Sequence, residues 1–213
     1  MTPRTAASHG DARSFWNQRY SESDWAYGQE ANTFLQEQAA ALPPGDALCL
    51  AEGQGRNAVF LARLGHRVIA QDLSAVGLNC AQQLASSQGV SLQTLCCDLA
   101  AFEPEACSTD LVVAIWMHLP VALRQVVHRR AVAALRPGGR LILEAYAPEQ
   151  RNLGTGGPPV AELLIDPDDL RHELAGLELE LFRTLQRWID EGPYHHGESA
   201  VVQVVGRKPS EAR

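Results

Sequence analysis

The feature that most constrains this fold is a repeated alternation of short apolar runs with helical segments. Runs that suit buried strands lie at residues 47–51, 68–71, 91–97, 111–116 and 140–145. Helical segments lie between them at residues 57–64, 74–87 and 120–135. This alternation predicts a parallel sheet with helices on both faces.

The C-terminal part of the chain breaks the alternation. A helix should begin at Asp166 and Pro167, and two strands follow near residues 177–185 and 200–205 with no helical segment between them. Strands joined directly by a loop pair antiparallel. The expected fold is therefore an α/β, doubly wound, seven-stranded sheet, mostly parallel, with one antiparallel strand in the C-terminal hairpin.

A length of 213 residues suits a single domain. Residues 1–12 are small and polar and should form a flexible tail. Residues 13–46 should form an N-terminal cap of aromatic side chains and one helix, at residues 32–42, which ends before Gly45. Residues 47–208 should form the core that carries the sheet.

Charge and cysteine usage exclude several classes of protein. The formal net charge is −7, which argues against a nucleic-acid partner. The five cysteines are odd in number and lack a C-x-x-C spacing, so we expect neither a disulfide framework nor a metal site. The N-terminus lacks an apolar signal core, and no apolar run approaches a membrane span. We expect a cytoplasmic protein with no membrane partner.

Ligands in doubly wound sheets bind beyond the carboxyl ends of the strands. The residues that follow the predicted strands are therefore the candidate ligand contacts. They are Glu52, Gly53, Gln54, Gly55, Arg56 and Asn57 after the first strand, Asp72, Leu73 and Ser74 after the second, Asp98 and Leu99 after the third, and Trp116, Met117 and His118 after the fourth.

The glycine loop leaves two ligands open. Gly53-x-Gly55-x-x-Ala58 fits a dinucleotide fingerprint, and Asp72 follows at a suitable distance for a ribose, so an NAD(P)-dependent oxidoreductase is one alternative. However, Glu52 would set a like charge beside a pyrophosphate. Together with Asp98 and the C-terminal hairpin, Glu52 favours a ligand with an adenine, a ribose and a cationic end, which is S-adenosylmethionine.

Four segments in order support this choice. "EGQGRN", "QDLS", "CCDL" and "LRPGGRLILEAY" together resemble class I S-adenosylmethionine-dependent methyltransferases, which have a Rossmann-like fold. The continuation "GRN-x-x-x-LA" is similar to the branch of tellurite-resistance and thiopurine methyltransferases. The resemblance covers roughly residues 16–208. It departs from the usual D-x-G-x-G-x-G loop, where Cys49 and Ala51 replace the acid and the first glycine, and Glu52 is a candidate for the displaced carboxylate.

The resemblance implies a role for each cofactor residue. Residues 52–57 would line the methionine and ribose, and Asp72 would bind the ribose hydroxyls, with Leu73 beside the adenine and Ser74 among the cofactor contacts. Asp98 would face the adenine amine, and Leu99 would add a backbone contact. An aromatic flap would cover the cofactor, and Trp116 would complete its site. The flap residues are Trp16, Tyr20 and Tyr27.

The acceptor is less defined than the cofactor. Methyl transfer from a sulfonium is an in-line displacement that depends mainly on alignment and exclusion of water, so the sequence predicts no particular catalytic residue. We expect a small-molecule acceptor, and the resemblance to tellurite-resistance and thiopurine methyltransferases implies a soft chalcogen nucleophile such as a thiol or a selenium or tellurium oxyanion. A non-catalytic S-adenosylmethionine-binding protein remains an alternative. The predicted acceptor pocket contains Met117, His118, Tyr146, His195 and His196, with residues 154–159 as a lid.

Two other groups of residues have simple interpretations. Arg124 should be an exposed charge on a helix, and the strand position of Cys96 and Cys97 predicts ordinary burial.

Overall fold

The computed structural model describes residues 9–22 and 24–210. These residues form one seven-stranded sheet in the order β3-β2-β1-β4-β5-β7-β6. The strands are β1 (Asp46–Cys49), β2 (Arg67–Asp72), β3 (Gln93–Cys96), β4 (Thr109–Ile115), β5 (Leu135–Tyr146), β6 (Glu178–Asp190) and β7 (His196–Arg207). The helices are α1 (His9–Glu22), α2 (Thr33–Ala39), α3 (Arg56–Arg63), α4 (Ala75–Ser87), α5 (Val121–Ala134) and α6 (Pro167–Glu173).

Strand pairing confirms the predicted architecture. β1 to β5 pair in parallel with one another, whereas β7 pairs antiparallel with both β5 and β6. The final hairpin therefore inserts β7 into the sheet and leaves β6 at its edge. Helices cover both faces, which explains why residues 111–115 of β4 are an uninterrupted apolar run in the sequence.

The core is divided by the sheet. One face packs Val112 and Ala114 of β4 against α5 and α6. The other face packs Leu111 and Val113 of the same strand against α2, α3 and α4. The period-two alternation of β4 thus serves two apolar layers, and the carboxyl ends of the central strands are left to polar residues.

The N-terminal region differs from its prediction. Residues 1–8 of the expected tail lie outside the described residues, and residues 9–12 belong to the first turns of α1 rather than to a tail. No helix was expected here. The sequence of α1 is polar on most sides and carries no regular apolar stripe, so its periodicity gives no helical signal.

Two side-chain expectations are wrong. Arg124 is not exposed but fully buried, because it pairs with Glu173 of α6 through two parallel hydrogen bonds. Cys96 is exposed and Cys97 half-buried, because β3 is an edge strand with little cover on either side. Among residues 9–22 and 24–210, helices are too short or too polar to cross a bilayer.

Candidate functional site

The loop after β1 is a tight turn packed against two helices. Ala51, Gly53 and Gly55 all have positive φ, at 50°, 63° and 88°. A Cβ on Gly55 would lie 2.4 Å from the Cβ of Ala81 in α4, so only glycine lets the loop approach this helix. The loop thereby aims the N-terminus of α3 at the carboxyl edge of the sheet.

Glu52 is buried at the N-terminus of α3. One carboxylate oxygen accepts hydrogen bonds from the backbone N–H groups of Asn57 and Ala58, at 2.9 and 2.8 Å. Burial outweighs these bonds and the charge of Arg56, and raises the pKa of Glu52 to about 7. Glu52 therefore caps the helix that follows the glycine loop but is incompletely stabilised as an anion.

Asp72 joins the glycine loop to the next strand. Its two oxygens accept hydrogen bonds from the backbone N–H groups of Gly53 and Ser74, at 2.8 and 2.7 Å. Burial raises the pKa of Asp72 to about 6 in spite of these bonds. Among the described residues, no lysine, arginine or histidine lies within 4 Å of either cleft carboxylate, Glu52 or Asp72.

Gln54 of the glycine loop and Asn57 of α3 form hydrogen bonds with the N-terminal segment, residues 24–32. The side chain of Gln54 accepts a hydrogen bond from Ala26 N–H (2.9 Å) and donates one to the Asp24 carbonyl (3.0 Å). Asn57 accepts a hydrogen bond from Asn32 N–H at 2.9 Å. Hydrogen bonds thus connect the segment before α2 to the glycine loop and to the first turn of α3.

Helix α1 lies across the carboxyl ends of three strands. Tyr20 is buried against the glycine loop, and its hydroxyl lies 2.5 Å from the position of a Cβ on Gly53. Asn17 accepts a hydrogen bond from the Ser74 hydroxyl (2.6 Å) beyond β2, and Arg13 reaches the Cys96 thiol at the end of β3. Trp16 stacks on Tyr20. Two of the three predicted flap residues, Trp16 and Tyr20, therefore lie on a helix that packs on the loop, whereas Tyr27 lies in the turn that follows this helix.

A second cluster of rings lies beyond β4 and β5. Its members, the aromatic cluster, are Trp116, His118, Tyr146 and His195. The ring of Trp116 stacks on Tyr146 with centroids 4.5 Å apart, and His195 meets both rings edge to face. Tyr27 of the N-terminal segment contacts His195 from the other side, at 4.6 Å. The cluster therefore joins the N-terminal segment to the final hairpin.

Both imidazoles of the cluster are neutral near pH 7. Burial lowers the pKa of His118 to about 4 and holds the pKa of His195 well below its usual value. His118 Nδ1 lies 3.3 Å from the Leu163 carbonyl, so Nδ1 carries the proton. The buried Nε2 of His118 and Nδ1 of His195 have no hydrogen-bond partner among the described residues. Buried nitrogens without partners are costly and mark a place where a ligand can supply one.

A buried ionic network lies behind the aromatic cluster. Glu144 is bound by Arg187 through two hydrogen bonds of 2.8 and 2.7 Å and by Gln203. Glu191 is bound by Arg56 at 2.5 Å and by the Trp116 indole at 2.7 Å. Asn32 donates hydrogen bonds to both carboxylates, at 2.6 and 2.8 Å. Unlike Glu52 and Asp72, these two buried acids have arginine partners.

Several predicted site residues lie elsewhere. Met117 packs in the core below the sheet, as does Leu99. His196 faces the exposed side of the hairpin, where it contacts Asp190 and Trp188, because neighbouring residues of a strand point to opposite faces. Asp98 accepts a hydrogen bond from Ala100 N–H within its own turn. Leu73 is half-buried, and its carbonyl contacts the Cys96 thiol.

The network was not predicted from the sequence. Asn32, Glu144 and Gln203 lie far apart in the chain, and no spacing connects them. Glu191 does lie in the polar segment of the hairpin that also carries His195, which is the only local signal for it. Within the described ranges, His, Cys, Asp and Glu side chains form no group of three that could hold a metal ion.

Comparison with known proteins relates this site to one family. Residues 47–139 match the family model described as a methyltransferase domain. A search of curated protein sequences finds no match.

Solved structures extend the likeness over most of the chain. A structure from work on the conversion of a disulfide bond into a thioacetal group during echinomycin biosynthesis is 18% identical, covers 94% of each chain and has a TM-score of 0.73. TehB from Haemophilus influenzae is 15% identical over 93% of this chain and 67% of its own, with a TM-score of 0.71. A geranyl diphosphate methyltransferase bound to GPP and sinefungin is 15% identical over 94% of this chain and 99% of its own, with a TM-score of 0.65. At these identities the likeness concerns the fold.

Proposed function

We propose that the chain is a class I S-adenosylmethionine-dependent methyltransferase and that it transfers the methyl group to a small, soft nucleophile held against the aromatic cluster. The match of residues 47–139 to a methyltransferase-domain model supports this class over the oxidoreductase alternative. We also propose which residues form the site, what each of them does and which acceptor they bind.

The observation that carries the proposal is the pair of cleft carboxylates. Glu52 and Asp72 are buried beside the glycine loop, have backbone N–H partners, and keep raised pKa values. A cationic ligand would compensate for this burial, whereas a pyrophosphate would add to the repulsion. S-adenosylmethionine, with a sulfonium and an ammonium group, fits these residues.

The residues of the cleft have distinct proposed tasks. Asp72 would accept the ribose hydroxyls with its remaining lone pairs, and Glu52 would face the cationic end. Tyr20 packs where a ligand would touch Gly53, so its ring must shift when the cofactor approaches this glycine. When bound, the cofactor supplies an activated methyl group. The chain contributes alignment and a site from which α1 excludes water.

The aromatic cluster supports an uncharged acceptor. The unpartnered nitrogens of His118 and His195 can accept hydrogen bonds from a thiol or a similar group. Arg56 and Arg187, the arginines behind the cluster, are already neutralised by Glu191 and Glu144. We therefore favour a thiol over an oxyanion as the acceptor.

One observation favours the oxyanion instead. Arg19 lies 3.8 Å from the ring centroid of Tyr194 and donates to the Tyr27 hydroxyl, and no carboxylate of the described residues pairs with it. Tyr27 in turn contacts His195. Arg19 could therefore attract an anionic acceptor such as tellurite or selenite to the same cluster.

Calorimetric titration tests the cofactor, and product analysis tests the acceptor. We expect S-adenosylhomocysteine to bind with a dissociation constant near 1 μM, about −8 kcal/mol, and NADH not to bind. Incubation with S-adenosylmethionine and either small thiols or selenite and tellurite should then give methylated thiols by mass spectrometry. Methylation of the oxyanions alone would favour the Arg19 alternative.

Adjacent histidines provide a matched pair of variants. His195→Ala should abolish acceptor methylation while S-adenosylhomocysteine binding persists, because His195 lies in the buried cluster. His196→Ala should behave as wild type, since His196 lies on the exposed face. Equal activity of the two variants would show that the acceptor binds elsewhere.

A further inference from the structure

A single carboxylate oxygen connects the two halves of the proposed site. Oε2 of Glu191 accepts hydrogen bonds from Arg56 at 2.5 Å and from the Trp116 indole N–H at 2.7 Å. Both donors are part of the site but come from different elements. Arg56 is the first residue of α3, directly after the glycine loop, and Trp116 follows β4 at the wall of the aromatic cluster.

The Arg56 side is held by several contacts. Its guanidinium also donates to the Glu30 carbonyl at 3.2 Å, and its side chain is almost completely buried. Burial would raise the pKa of Glu191, but Arg56, Trp116 and Arg187 together hold this pKa below its usual value. The Glu191 carboxylate is therefore ionised and paired. A displacement of the loop end that carries Arg56 would also displace this carboxylate.

The Trp116 side is strained. Trp116 has a φ of 57°, which is an unfavourable conformation for a large side chain. Its ring is retained by the stack on Tyr146 and by the hydrogen bond to Glu191. Strain of this kind persists only where surrounding contacts determine it, so loss of the Glu191 bond should let the indole reorient.

The turn that carries Glu191 also carries His195. Glu191 N–H donates to the His195 carbonyl at 2.8 Å, which closes the turn of residues 191–195. Gly192 in this turn packs against the backbone of residues 26–28, where a Cβ would lie 2.6 Å from the Gly28 nitrogen. Glu191 and His195 therefore belong to one hydrogen-bonded turn, which lies between the N-terminal segment and the cluster.

We propose that Glu191 is a positioning residue that couples the cofactor loop to the acceptor wall, through Arg56 on one side and Trp116 on the other. The inference rests on the proposed function, since it assigns cofactor to the glycine loop and acceptor to the cluster. Seating of the cofactor against the loop sets the orientation of Trp116, and with it the acceptor side of the site. A simple structural ion pair would stabilise the fold without transmitting this change.

Fluorine NMR of protein labelled with 5-fluorotryptophan can follow Trp116 directly. The chain has four tryptophans, and Trp116→Phe assigns the resonance of interest. In wild type, saturating S-adenosylhomocysteine should shift the Trp116 resonance. In Glu191→Gln, S-adenosylhomocysteine should bind with an affinity changed by less than about fivefold, the lower end of allosteric coupling, and the shift should be lost.

Glu180→Gln is the matched control. Glu180 is on the same hairpin and also pairs with an arginine, Arg140, but on the exposed surface. It should retain the wild-type shift. If Glu191→Gln does not fold, Arg56→Lys interrupts the same link from the other end at saturating ligand and should lose the shift as well.

The outcomes separate the two proposals. A full Trp116 shift in a folded, ligand-bound Glu191→Gln protein overturns the coupling and leaves the methyltransferase assignment intact. Absence of S-adenosylhomocysteine binding by wild type overturns the cofactor assignment itself, and the coupling with it. Loss of the shift in Glu191→Gln with retention in Glu180→Gln supports the coupling.

Discussion

Two groups of buried acids in this protein are stabilised in opposite ways. Glu52 and Asp72 beside the glycine loop receive hydrogen bonds from backbone N–H groups, and their pKa values are raised. Glu173 and Glu191 are paired with arginines, and burial fails to raise their pKa values because Arg124, His128 and Arg56 hold them low.

The difference separates the acids that would face a ligand from the acids that hold the surrounding elements in place. A buried carboxylate without a cation is unstable by itself and gains when a cation arrives. A buried carboxylate with an arginine has already been compensated and contributes to structure when the pair is complete. On this basis we propose that the cleft acids mark the cofactor site and that the arginine-paired acids mark the supports around it.

The largest effect should come from breaking a completed pair. Arg124→Leu removes the bidentate partner of Glu173 at a fully buried position. We expect a loss of about 3–5 kcal/mol in the free energy of unfolding, because a buried charge is left with His128 alone. Urea denaturation measures it. Arg129→Leu, at an exposed position of the same helix, should change stability by less than about 0.5 kcal/mol.

We also expect Arg124→Leu to leave ligand binding unchanged. Under native conditions the folded Arg124→Leu protein should bind S-adenosylhomocysteine like wild type, since the hydrogen bonds of Arg124 go to Glu173 and the Leu164 carbonyl and not to the glycine loop. A loss of affinity without a loss of stability would remove the distinction between the two groups of acids.

Replacement of Asp72 should change stability less than Arg124→Leu does, and should change ligand binding more. Asp72→Asn should weaken S-adenosylhomocysteine binding by roughly a hundredfold, about 2.7 kcal/mol, because the amide has one acceptor oxygen where the carboxylate uses two. Asp110→Asn is the control, since Asp110 also accepts a backbone hydrogen bond but at the opposite edge of the sheet. Titration calorimetry should show unchanged affinity for Asp110→Asn.

The fold was predictable because its signals are local and repeated. Apolar strands, helix caps such as Ser74 and Asp166, and the hairpin without a helix each have a short-range pattern that long-range packing did not override. The cleft acids were predictable for the same reason. Glu52 lies in the loop that follows β1 and Asp72 is the last residue of β2, and the ends of these strands converge at one edge of the sheet.

The supports were not predictable because their signals are long-range. Glu144 of β5 meets Asn32 and Gln203 only after the sheet has formed, and Arg124 looks like any surface arginine until α6 brings Glu173 to it. The helix α1 was missed since its polar sequence buries chiefly Tyr20, against a loop rather than a core.

Replacing the other cleft acid should raise stability. The pKa of Glu52 is raised from 4.5 to about 7, so between these values the unfolded state is ionised while the folded state retains its proton. Stability of wild type should therefore fall as pH rises through this window, and Asp72 should add a similar slope up to about pH 6. Glu52→Gln should remove the Glu52 part of the slope.

At pH 8 we expect Glu52→Gln to raise the free energy of unfolding by about 1–2 kcal/mol. The shift in pKa corresponds to roughly 3 kcal/mol, and burying the amide of glutamine costs part of it. Urea denaturation from pH 5 to pH 8 measures both slope and gain. A variant that is less stable than wild type at pH 8 would mean that the Glu52 charge serves the fold.

The smallest expected effect concerns the cofactor itself. Binding of a cationic ligand should favour the ionised form of Glu52, so affinity for S-adenosylmethionine should rise by about fivefold between pH 6 and pH 8, with release of protons. Calorimetry in two buffers of different ionisation enthalpy counts the protons. Glu52→Gln should bind more weakly at pH 8 and lose most of the pH dependence. If wild type instead binds more tightly at pH 6, Glu52 acts as a neutral hydrogen-bonding group, and the contrast between the two groups of acids rests on Asp72 alone.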